Sequence, residues 1–216
     1  MTMTLHGYWR SSASYRVRLA ANLKGVVYDQ VSYDLRLGEQ GTPALRRLAP
    51  LGLVPALEVD GGSLTQSLAI LEWLEETLPT PPLLPAGSMQ RATVRAMAAT
   101  IACDIHPLNN LRVLQSLRRD LGASEQAVQV WISRWIRDGF AALETMVSSH
   151  GAGFCFGDSP TMADCCLIPQ IYNARRFNVD LADFPALLAV DATCAQLDAF
   201  ARASPERQPD ADGAGA

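Results

Sequence analysis

The chain has 216 residues, 49% hydrophobic and 19% charged, enough apolar material for one large core or two modest ones. Its net charge of −4 argues against a dedicated nucleic-acid surface, which needs clustered positive charge, but leaves room for small anions held by two or three arginines. No apolar run reaches the roughly 18–20 residues that span a bilayer, and the N-terminus has no export-signal pattern, so a cytoplasmic protein with no membrane partner is expected.

In chain order, residues 3–8 read as a strand and residues 12–24 as a helix closed by Gly25. Residues 28–33, rich in β-branched and aromatic types, read as a second strand, and a weaker helix covers 43–48. Residues 56–59 and 63–65 flank Asp60-Gly61-Gly62, which predicts a hairpin. A helix over 66–77 carries Leu68, Leu71 and Leu74 at helical spacing. The order is β-α-β-α-β-β-α. Four prolines within 79–85 then make a stiff linker, which divides a first domain, 1–80, from a second, 86–216.

Beyond the linker the pattern is helical. Between 128 and 147 the positions Trp131, Ile132, Trp135, Ile136, Phe140, Leu143 and Val147 form one broad apolar stripe. Thr161 and Asp164 have capping-box spacing, so Asp164 reads better as a helix cap than as a catalytic acid. Pro107 and Pro169 should kink or interrupt their helices. The polar segment after Ser204 reads as frayed. Five cysteines without paired spacing and three scattered histidines give neither a disulfide framework nor a metal site.

The chemistry concentrates at the first strand-to-helix junction, Arg10-Ser11-Ser12-Ala13-Ser14. One serine there is an ordinary N-cap, but three in four positions behind an arginine exceed what a cap requires. A helix N-terminus with spare donors can hold an anion, and a thiolate held there would have its pKa lowered. No cysteine is present in this stretch, so such a thiolate must come from a ligand. Val54-Pro55 stands before a strand; a cis bond, found in about 5–6% of X-Pro pairs, would turn the Val54 backbone outward to pair with an extended peptide. Gln66-Ser67 opens a helix, where Ser67 reads as an N-cap or as part of a carboxylate site.

These three elements, in this order, resemble the thioredoxin-like half of glutathione transferases. The likeness to the zeta class extends over essentially the whole chain: Ser11-Ser12-Ala13 before Arg16-Val17-Arg18, the stretches 53–57 and 66–70, residues 103–112, Phe156-Gly157-Asp158, Pro169-Gln170, residues 174–177 and Gln208-Pro209-Asp210. The resemblance implies an α/β thioredoxin-like domain followed by an all-α helical bundle, with glutathione as cofactor and a homodimer as the assembly. It gives Ser11 the glutathione sulfur, with Ser12 and the Ala13 N–H beside it. Val54 would pair with the cysteinyl backbone, and Gln66 and Ser67 would hold the γ-glutamyl carboxylate. Gln40, and His106 with Asn110 from the helical domain or a partner subunit, would reach the remaining polar ends. Two departures stand out: Ala13 replaces the signature cysteine, and Gly52 and Leu53 replace polar residues, which removes one side-chain contact.

The class further implies a glutathione-dependent cis-trans isomerase acting on a maleyl keto-diacid in aromatic-compound catabolism, either maleylpyruvate or maleylacetoacetate. Residues 53–55 and Asn109-Asn110 look more like bacterial maleylpyruvate isomerases. A dicarboxylate substrate calls for guanidinium forks, and Arg10, Arg112 and Arg176 lie beside family motifs, while Arg175 reads equally well as a solvated arginine. Two other readings stay open: a conjugating transferase acting on small α-halo acids, and a non-catalytic binding protein of the same fold. The second has no use for the Arg-Ser-Ser cluster.

Overall fold

The computed structural model describes residues 2–212 and divides the chain into two compact units, residues 1–83 with 195–216, and residues 84–194. In the first unit, strands β1 (Met3–Gly7), β2 (Asp29–Ser32), β3 (Ala56–Val59) and β4 (Gly62–Thr65) form one sheet in the order β2-β1-β3-β4. The β1–β2 pair is parallel, and β1–β3 and β3–β4 are antiparallel. Helices α1 (Ser12–Leu23), α2 (Pro43–Leu48) and α3 (Ser67–Thr77) complete the βαβ-αββα order.

Local chemistry sets the boundaries. Ser11 caps α1, and Gly25, at φ 66°, follows its C-cap Lys24 in the left-handed region where glycine is unstrained. Asp60 and Gly61, both at positive φ, make the two-residue β3–β4 turn, whose twist matches that of the strands. Leu5, Leu19, Leu57, Ile70, Leu71 and Leu74 fill the core of the unit, and β2 lies exposed at the sheet edge.

The second unit contains α4 (Ser88–Ala99), α5 (Leu111–Arg119), α6 (Glu125–His150), α7 (Met162–Arg176) and α8 (Pro185–Cys194). The predicted stripe is the buried face of α6: Val128, Ile132, Ile136, Phe140, Leu143 and Val147 are buried, and Trp131 and Trp135 flank it half-buried. Pro107 falls where α4, widened into a π-helical stretch at Thr100–Ile105, gives way to a 3-10 turn at His106–Asn109. Pro169 is accommodated inside α7, which continues through it. The Thr161–Asp164 capping box forms as expected.

The C-terminal segment differs from expectation. Instead of extending the helical region or fraying after Ser204, Ala195 onward groups with the first unit, through helix α9 (Asp198–Ala203) and residues up to Asp212. Arg18 and Asn22 of α1 donate to the carbonyls of Ala203 and Ala199, and Pro205, Gln208 and Ala211 are buried. Gln208 can bury here because the Arg202 and Ser204 carbonyls and the Gln30 amide satisfy it.

A candidate glutathione site

The loop between β1 and α1 carries the first cluster. Ser11, in extended conformation, accepts the Ser14 N–H at its Oγ at 3.3 Å. By helix geometry the first-turn N–H groups of Ser12 and Ala13 have no intrahelical acceptor, and the dipole concentrates positive potential there. Ser12 and Ser14 are buried, and the Ser14 Oγ is shielded from solvent without a hydrogen-bond partner. Arg10, half-buried, stacks over the Trp9 ring with Cζ 5.0 Å from its centroid. Burial pushes the Tyr8 phenol above its ordinary pKa, against the opposing pull of Arg10, so it stays protonated at neutral pH.

Arg16 and Arg18, which the sequence offers only as parts of a motif, prove to be buried at 2% and 1% exposure. Arg16 Nη1 donates to Ser67 Oγ at 3.1 Å, which links α1 to the start of α3. Arg18 donates to the Trp9 and Ala203 carbonyls at 2.8 and 3.0 Å. The sequence pattern does not mark them: α1 mixes polar and apolar residues, and its burial on nearly every side appears only in the fold.

The Val54–Pro55 bond is cis, and Val54 packs against Tyr8, Trp9 and Ala211. Gln66 sits at φ 68° and ψ 113°, a sparsely populated region for a non-glycine residue, directly before buried Ser67. The Ser67 hydroxyl accepts from Arg16 and retains its own O–H to donate, beside the free N–H groups of the α3 terminus. Gln40, in the 3-10 turn at Glu39–Gly41, is half-buried, and its Oε1 is shielded without a partner. Gly52 is needed where it stands: at φ 63°, a Cβ would lie 3.1 Å from the Gln40 carbonyl oxygen.

The remaining candidates belong to the second unit. His106 is half-buried in the 3-10 turn. Asn110 caps α5, its Oδ1 accepting the Arg112 N–H at 3.2 Å, which leaves its amide N–H groups to donate. Arg112 is exposed near the start of α5. Arg176, exposed at the end of α7, lies over the Phe177 ring at 4.4 Å, whereas Arg175 pairs with Asp191 at 2.6 Å. Cys155, Cys165, Cys166 and Cys194 are buried, and burial pushes the Cys155, Cys165 and Cys194 thiols up, which makes them poor nucleophiles.

A dipole-backed pair of N–H groups beside serine hydroxyls, a cis X-Pro bond, a second helix terminus over a buried arginine and an orphaned buried amide oxygen together fit a thiol tripeptide with a free carboxylate. Residues 1–76 match the family model for the glutathione S-transferase N-terminal domain, and residues 113–192 match that for its C-terminal domain. The chain is 50% identical over 210 residues to a maleylpyruvate isomerase of a Ralstonia species, covering 96% of this chain and 99% of that protein. A holo structure of a maleylpyruvate isomerase, described as a bacterial zeta-class glutathione S-transferase, superposes with a TM-score of 0.95 at 49% identity, covering 97% of this chain and all of that one. A maleylacetoacetate isomerase from Anaeromyxobacter dehalogenans, solved with glutathione in its active site, gives 0.89 at 46% identity, covering 98% of each chain. With both halves matched and nearly half the residues shared along its length, the chain belongs to the zeta class of the glutathione S-transferase family.

Proposed function

We propose that this protein is a glutathione-dependent cis-trans isomerase of a maleyl keto-diacid, either maleylpyruvate or maleylacetoacetate, in the cytoplasmic breakdown of aromatic compounds. The observation that carries the reading is the thiol-free helix terminus at Ser11–Ala13: built to stabilise a thiolate, it holds no protein thiol to ionise. Bound glutathione supplies that thiolate, a nucleophile that makes the substrate's double bond transiently single so that it can rotate. The protein then needs only to lower a pKa, orient two reactants and offset negative charge.

Ser11 and the Ser12 and Ala13 N–H groups hold the sulfur as its anion. The Val54 backbone aligns the peptide, and Gln66 with Ser67, backed by Arg16, fixes the γ-glutamyl carboxylate. Gln40, His106 and Asn110 serve the other polar ends. Arg10 takes the reacting end of the diacid, and Arg112 and Arg176 are assigned to its distal carboxylate, where a planar fork outperforms a point charge. A homodimer in which His106 and Asn110 serve a neighbour's glutathione belongs to the same proposal. So does the expectation that the enzyme has no nucleic-acid partner.

An ultraviolet assay of both maleyl substrates after dialysis tests the reading. Isomerisation should vanish without glutathione and return on adding it, and full activity without any thiol would overturn the assignment. Arg→Met at positions 10, 112 and 176 should cost at least about tenfold with the diacid, since breaking a desolvated charge pair costs about 2–5 kcal/mol. An uncharged electrophile such as chlorodinitrobenzene should be far less affected. Equal losses on both would remove the carboxylate roles of these arginines.

A further inference from the structure

The backbone of Trp9, two residues before Ser11, is held on both of its flanking peptides by charged side chains. Its N–H donates to the Asp210 carboxylate at 2.9 Å, and its C=O accepts from the Arg18 guanidinium at 2.8 Å. The two come from opposite ends of the chain, α1 and the segment after α9. The Trp9 ring is fixed as well: Ala211 packs into one buried cluster with Tyr8 and Trp9, against which Val54 also lies, and the Trp9 ring is the surface on which Arg10 stacks.

The segment that brings Asp210 is itself anchored in several places. Gln208, 3% exposed, donates through Nε2 to the Arg202 and Ser204 carbonyls and accepts from Gln30 of β2 at 3.2 Å. Its carbonyl accepts the Ala211 N–H, which closes a turn around Pro209-Asp210. Asp212 pairs with Arg36 at 2.8 Å. A frayed tail has no need of a buried glutamine that saturates its hydrogen bonds; a segment that must deliver one carboxylate to one N–H does.

We propose that residues 208–211 are a positioning element of the thiol site, and that Asp210 and Arg18, holding the two peptides that flank Trp9, set the orientation of Arg10 and Ser11. Asp210 is a positioning residue: it touches the loop and not the reactants. A charged acceptor on the Tyr8–Trp9 peptide and a charged donor on the Trp9–Arg10 peptide form stronger bonds than neutral partners would, and together they oppose backbone rotation at Trp9 on the way into Ser11. The proposal rests on the reading of Ser11 as the thiolate donor, so Ser11→Ala is measured alongside.

The test is the ultraviolet titration of the thiolate of enzyme-bound glutathione, together with kcat and KM, in Asp210→Ala, Asp210→Asn and Asp212→Asn. Asp210→Ala should move the thiol's titration upward and lower kcat by about 10- to 100-fold, the scale of a small misplacement of a reacting group, while KM for glutathione changes little. Asp210→Asn keeps an acceptor for the Trp9 N–H and should recover most of the rate. Asp212→Asn removes only the exposed pair with Arg36, outside the Gln208–Ala211 turn, and should leave the titration in place. Asp210→Ala whose titration overlays the parent or moves downward would overturn the proposal, as would an equal effect from Asp212→Asn. If Ser11→Ala also leaves the titration in place, it is the role of Ser11 that fails.

Discussion

Ser11 serves α1 twice, as its N-cap and as the hydroxyl offered to a bound sulfur. Ser11→Ala should therefore raise the pKa of bound glutathione and slow turnover near neutral pH by about 10²–10³, with a smaller deficit at alkaline pH where the thiol ionises unaided. A pH-rate profile for both enzymes checks this. Gln66 offers a second test, because its backbone sits at φ 68° without glycine's freedom. Gln66→Gly should relieve strain of about 1 kcal/mol, visible as a higher unfolding midpoint, while glutathione affinity falls with the lost side chain. Residues whose role is local were legible: Ser11, Val54-Pro55 and Ser67 announce a cap, a turn and a helix start. Arg16, Arg18 and the backbone of Gln66 were not, because their partners or constraints lie 51 and 185 residues away, or in no residue type at all.

Among the elements, α7 depends on its capping box more than on propensity. Asp164 is fully buried and accepts from the Cys155 N–H, the Thr161 N–H and the Thr161 hydroxyl at 2.7–2.8 Å. Burial nevertheless raises its pKa above the ordinary carboxylate value, the three hydrogen bonds offsetting only part of the desolvation. A raised folded pKa means that the folded state holds the proton more tightly, so this group's contribution to stability is complete below the unfolded value, about 3.9, and declines as pH rises through the folded value. The stability gap between the parent and Asp164→Asn should accordingly narrow as pH rises from about 4 to 7, as urea unfolding across that range would show. Asp164→Ala, which strands two buried N–H donors, should cost about 2 kcal/mol or more throughout. The helices and strands themselves were readable because punctuation and periodicity agree, as at Gly25, Asp60-Gly61 and the α6 stripe. The C-terminal segment was misread as frayed because composition records polarity and not the backbone groups waiting to satisfy it.

On the scale of the molecule, the linker leaves the first unit through a buried charge network. Lys24 Nζ donates to Glu75 Oε2 and to the Leu78 and Pro81 carbonyls at 2.6, 2.6 and 2.8 Å, and Glu75 Oε2 also accepts the Leu83 N–H. Removing one charge strands the other in a dry site, so Lys24→Met should lower stability by about 3–5 kcal/mol, and pairing it with Glu75→Leu should recover much of the loss. Denaturant midpoints of the two variants decide the matter. The grouping of Ala195 onward with the first unit has a consequence for how the protein is made. A ribosome makes the β1–α1 loop 201 residues before the carboxylate that grips it. The amino-terminal half must wait through the synthesis of the entire helical unit before its fold can close. Chains interrupted during translation before residue 210 would carry every proposed glutathione-contacting residue yet lack one half of the grip on the Trp9 backbone, so they would work below the full rate that the completed grip allows.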